Sequence, residues 1–129
     1  MAYEIPGLTI SLPAGGSLTS SQYKFVKLNS SGQVIDIAAN TDIPIGILQN
    51  APASGDMAVV MVTGVSKVQG DVDLSKANLI GPSADGQAAA YVNGTDTTKY
   101  IVGQVIDDNT TAGGLATVVF NCAVPNRGA

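Results

Sequence analysis

The side chains able to do chemistry are few, and their spacing is poor for it. His is absent, Cys122 is the one Cys, and ten Asp and Glu stand against six Lys and Arg. Without imidazole the chain lacks the commonest general base and the commonest metal ligand. One Cys excludes an intrachain disulfide framework and every multi-Cys zinc site. Cys122 lies in Val-Val-Phe-Asn-Cys-Ala-Val with no neighbouring cation to lower its pKa, so it reads as a small buried hydrophobe. Carboxylates remain. Asp71 and Asp73 could face the same way at period two and share a hard cation such as calcium, which would suit a metal-assisted hydrolase. No loop, however, offers four or more oxygen ligands at fixed offsets, and adjacent Asp107 and Asp108 would point to opposite faces of a strand. All four are expected as solvated turn residues. Gly15-Gly16 and Gly113-Gly114 lack the context of a phosphate-binding loop. Asn93-Gly94-Thr95 and Asn109-Thr110-Thr111 match the glycosylation pattern but carry no weight without a secretory signal. The expectation is a protein that is not an enzyme, with no cofactor and no metal.

The elements that would hold these residues are strands. The chain has 129 residues, enough for one domain burying roughly two thirds of its unfolded surface. Apolar, largely β-branched residues alternate or run in short blocks over Leu8–Leu12, Tyr23–Leu28, Gln33–Ile37, Ile45–Gln49, Met57–Val62, Ser66–Val68, Asn78–Ile80, Gln87–Val92, Tyr100–Ile106 and Ala116–Val124. Ser30-Ser31-Gly32 and Ala84-Asp85-Gly86 predict tight hairpins with Gly at positive φ. At most two single helical turns are expected, Thr19–Gln22 with Ser20 or Ser21 as cap and Asp73–Ala77 with Asp73 as cap. The class is all-β, a compact barrel or sandwich.

An internal repeat organises the chain. Ser21, Gly32 and Gln33 recur as Ser75, Gly86 and Gln87, and Phe25-Val26 falls on Leu79-Ile80, all 54 positions later. Pro44-Ile45-Gly46 corresponds to Ile101-Val102-Gly103, and Ala58–Val62 to Ala116–Phe120. The reading is a single β domain over 17–129 made of two similar halves, about 17–68 and 71–124. Two such halves should pack on each other, because neither buries an apolar face alone. Ahead of them, residues 1–16 form an extended N-terminal arm that has no counterpart before the second half. Its Tyr3, Ile5, Pro6, Leu8, Ile10 and Leu12 are the candidate contact residues, either as an edge strand of the same domain or lying along another chain.

Charge sets the partners. Charged residues make up 12% of the chain, about half the usual ~25%, and the net charge is −4 with one Arg. That excludes the clustered cations of a nucleic-acid binder. No apolar run approaches the ~18 residues of a membrane span, and the N-terminus lacks a signal-peptide pattern. Synthesis in a reducing cytoplasm is expected. A surface of Ser, Thr, Asn, Ala and Gly suits lasting contact with other subunits, where buried charge would cost free energy.

The stretch Ser21–Leu28, Gly32, then Ile43-Pro44-Ile45-Gly46-Ile47-Leu48-Gln49-Asn50-Ala51-Pro52, Gly55, Gly64-Val65-Ser66-Lys67-Val68 and Asp85-Gly86-Gln87-Ala88 resembles the capsid cement, or head decoration, proteins of tailed bacteriophages. The resemblance implies a tulip-like β-barrel without enzymatic activity. It also implies homotrimers bound to the major capsid protein on the outside of the expanded head, in the virion assembled in the host bacterial cytoplasm. The alternative reading is a carbohydrate- or cell-surface-binding β-module of a phage fibre or bacterial surface. Scarce aromatics, 5% of the chain, speak against sugar stacking.

Overall fold

The computed structural model describes residues 2–129. Residue 1 of the expected arm lies outside the described residues. Eleven strands follow one another: β1 Ile5–Pro13, β2 Phe25–Leu28, β3 Val34–Asp36, β4 Gly46–Leu48, β5 Met57–Gln69, β6 Leu79–Pro82, β7 Ala88–Ala90, β8 Tyr100–Ile101, β9 Gly103–Asp107, β10 Leu115–Asn121 and β11 Asn126–Arg127. The fold is all-β, as the alternation required, and the antiparallel sheet curls into a half-barrel. The two expected helical turns are plain turns, ended by Tyr23 (φ 64°) and Ala77 (φ 71°) in the left-handed region. Neither expected Ser nor Asp73 serves as cap; the Asn109 side-chain oxygen accepts from Leu74 N–H at 2.8 Å instead.

The main sheet runs β3-β2-β4-β5-β10-β9-β6-β7, with β1 paired to β5 off this path, and β8 and β11 form a separate pair. Read outward from its centre, this order is the same on both sides: β5, β4, β2, β3 match β10, β9, β6, β7. The repeat therefore holds at the level of individual bonds. Val26 pairs with Gly46 as Ile80 pairs with Gly103. Tyr23 N–H donates to Leu48 O as Ala77 N–H donates to Val105 O. Both hairpins turn on Gly at positive φ, Gly32 at 75° and Gly86 at 87°.

The N-terminal segment has a counterpart after all. Leu12 pairs with Ala58 as Val68 pairs with Ala116, and the parallel bridge of Ala14 to Val34 matches that of Gly70 to Ala88. The equivalent of β1 is the second half of β5. One long strand thus ends the first unit and begins the second, where the sequence suggested two strands, Met57–Val62 and Ser66–Val68. Gly64 (φ 138°) has Gly7 N 2.6 Å and Ile5 O 2.8 Å from where a Cβ would stand. The register shifts by an extra residue on each strand here, Gly7 and Val62, so the chain bends through bulges without breaking the strand.

The bulge also turns β5 over. Before it, Met61 faces the main core and Ala58 and Val60 face a smaller cluster; after it, Val62 and Val68 face the main core. The main core lies inside the half-barrel. It joins Phe25, Ile47 and Met61 of the first unit to Ile80, Val105 and Val118 of the second. Phe25 N–H donates to Gly86 O at 2.7 Å, tying β2 to the β6–β7 hairpin across this core. The smaller cluster, Val26, Leu48 and Val60 among its members, is roofed by Leu18 and by Ile10 and Leu12 from β1.

Candidate functional site

Antiparallel pairing places directly opposed residues on the same face of a sheet. Leu79 opposes Gln104, Gln104 opposes Val119, Val119 opposes Val65, and Val65 opposes Ile5. These five residues make one row across β6, β9, β10, β5 and β1. The equivalent row in the first unit is Phe25, Ile47 and Met61. These three are 0–1% exposed, covered by the second unit, whereas Thr9, which opposes Met61 and corresponds to Val65, is exposed. The second unit's row is more open: Val119 is 45% exposed and Gln104 is exposed, Leu79 and Val65 are half-buried, and Ile5 beside them on β1 is 60% exposed. Leu8, opposite Thr63 in the neighbouring row, is exposed as well. The repeat therefore generates the same row twice, with Met61 buried in the first unit and its equivalent Val119 exposed in the second.

Few bare charges lie on this open face. Lys67, two residues beyond Val65 on β5, lies 3.3 Å from the Glu4 carboxylate and 5.5 Å from the centre of the Tyr23 ring. A cation already paired and stacked costs less to desolvate than a bare one. Tyr3 is held at the margin of the face, its N–H donating to Thr117 Oγ1 at 3.0 Å.

The expected contact residues divide accordingly. Tyr3, Ile5, Pro6 and Leu8 are exposed, whereas Ile10 and Leu12 are half-buried against the smaller cluster. Alternation along β1 sends Ile10 and Leu12 inward, and the register shifts on either side of Leu8 re-aim Leu8 and the segment before it. The free edge of β1 is interrupted by Pro6 and Pro13, which have no N–H to offer a further strand. That edge is poorly suited to strand addition, and its exposed side chains are what it offers. Val65, Gln104 and Val119, which share the row with Ile5, were not among the expected contact residues. The correspondence of Met61 with Val119 was readable in the repeat, but which of the two faces solvent depends on packing.

A second feature is an apolar cleft of about 320 Å³ lined by Leu28, Ile43, Pro44, Ile45, Cys122, Ala123 and Pro125. Cys122 closes its floor, 3% exposed, and burial pushes its thiol up to about 12. The thiolate needed for nucleophilic chemistry is thereby disfavoured. Asp71, Asp73 and Asp108 are exposed, and Asp107, half-buried, lies 3.8 Å from Lys76. Among the described residues, no three or more Cys, Asp or Glu side chains come together as a metal site.

No family model matches the chain, and no curated protein matches it. Among solved structures, its fold is similar to that of the N base of head fibre gp8.5 of bacteriophage phi29. The TM-score is 0.63 at 16% sequence identity, over 89% of this chain and 94% of that one. At that identity the likeness is one of fold: this chain and the base of a phage head fibre share the same β architecture.

Proposed function

We propose that the chain is a structural phage virion protein that binds the outer surface of an expanded capsid and stabilises it as a cement or decoration protein. It acts without catalysis or cofactor, with the major capsid protein and further copies of itself, in a homotrimer, as its partners. The observation that carries this reading is the exposure of Val119, whose equivalent Met61 in the first unit is buried, in one row with Val65 and the exposed Ile5. A face built like a core and left exposed is suited to a permanent neighbour. The fold of the phi29 head fibre base supports a place on a phage head. Sparse charge supports it too, since many identical contacts around a closed ring add up without large desolvation costs.

The test is co-sedimentation of the purified chain with expanded empty heads of the cognate phage. Saturable binding in multiples of three, reduced by Ile5→Lys or Val119→Lys, is the expected result. Absence of binding to any head would overturn the proposal, and binding to glycans alone would favour the adhesion module instead.

A further inference from the structure

We propose that Asn93 is a deamidation site latched by the C-terminal strand, so that the chain end and the modification exclude one another. Asn93 and Gly94 lie in the exposed turn after β7. Gly94 sits at φ 82° with no atom within 4 Å of where a Cβ would stand, so the turn is uncrowded at its Cα. In the reaction the Gly94 backbone nitrogen gives up its proton and bonds to Asn93 Cγ. The Cγ–Nδ2 bond breaks, and ammonia leaves with the proton. Water then opens the imide at either carbonyl, yielding Asp or an isoaspartyl residue. No oxidant or reductant is involved.

The nitrogen that must attack is the one the chain end holds. Gly94 N–H donates to Gly128 O at 2.6 Å, and Gly128 N–H donates to Lys99 O at 3.0 Å. Gly128 is buried, and a Cβ there would stand 2.5 Å from Asp96 O, so the seat admits glycine. The neighbouring β11 pairs with β8, and the Arg127 guanidinium lies 5.5 Å from the centre of the Tyr100 ring. With the latch closed, the Gly94 nitrogen keeps its proton and cannot swing toward Cγ. With the imide formed, that nitrogen has no proton, and the buried Gly128 carbonyl loses its donor. An isoaspartyl product then adds a methylene to the backbone and moves the restored N–H out of register.

The experiment compares the full chain, a chain ending at Arg127, and Gly128→Ala during incubation at mildly alkaline pH. Conversion at Asn93 is followed by peptide mapping. Both variants should convert Asn93 several-fold faster than the full chain, with Asn29, Asn50 and Asn109 unchanged. Equal rates at Asn93 would overturn the proposal, as would acceleration at every Asn, which would mean general loosening. As a second reading, hydrogen exchange at Gly128 should quicken in the aged isoaspartyl fraction and stay slow in Asn93→Asp, which keeps its backbone N–H. Unchanged protection in the isoaspartyl fraction would refute the coupling even if both truncation and substitution failed to fold.

Discussion

Met61 and Val119 occupy the same position in the two units, and their truncation should differ several-fold in cost. Met61 is 1% exposed in the main core. Replacing such a residue by Ala removes its transfer free energy and leaves a cavity, for a loss of about 2–5 kcal/mol. Val119→Ala also removes methyl groups, but Val119 is 45% exposed, so just over half of its side chain is shielded in the folded chain. At ~0.8 kcal/mol per carbon the loss stays below about 1 kcal/mol. With a urea dependence of about 1–3 kcal/mol per molar, Met61→Ala should lower the midpoint by on the order of 1–2 M and Val119→Ala by less than ~0.5 M. Urea unfolding followed by circular dichroism reads both. If Val119→Ala cost as much as Met61→Ala, the second row would not be an outer face, and the contact surface proposed for it would fall. If Met61→Ala were as mild as Val119→Ala, the first row would not be sandwiched between the units.

Three further predictions rest on single sites. A Cβ at Gly46 would run into the Met61 carbonyl, whereas Gly16 has open space, so Gly46→Ala should fail to accumulate as folded protein while Gly16→Ala expresses normally. Thiol alkylation of Cys122 should be slow in the native chain at pH 8 and rapid in denaturant, because burial raises its pKa to about 12; fast native labelling would contradict that burial. At Asp42, burial works against ionisation, but the Lys27 ammonium at 2.7 Å and the Ala38 and Ala39 N–H groups outweigh it and hold the carboxyl below its usual range. A depressed folded-state pKa stabilises above the unfolded value of about 3.9, and the gain disappears as pH falls through the folded value. The stability difference between the parent and Asp42→Asn should therefore be full near neutral pH and close below about pH 4. A difference that persisted in acid would assign it to packing.

Most strands were legible because alternation of apolar residues reports which side of a strand is shielded. The hairpins at Gly32 and Gly86 were legible for a different reason: their dihedrals are open to glycine and costly for other residues. Three features misled. Residues 63–65 fell between two expected strands but lie within β5, which bends there. Val102 looked like strand interior, yet its N–H turns to Ile80 O and separates β8 from β9. Asn126–Arg127 carried no apolar pattern, and β11 forms through backbone pairing with Tyr100 and Ile101. Of the residues expected to make contacts, Tyr3, Ile5, Pro6 and Leu8 are exposed, and Ile10 and Leu12 are half-buried against the domain's own core.

Sequence alone determined the all-β class, the repeat, the absence of imidazole chemistry and the scarcity of charge, because each depends on residue type and local spacing. Tertiary structure decided which copy of the repeated face is covered. It also decided that the N-terminal segment pairs with β5 and that one strand belongs to both units. Both repeats can present the same row of side chains, but a half-barrel has one inside. Whichever unit supplies the inner row leaves the other unit's row to the surface, and that asymmetry arises only when the two units close on a shared core.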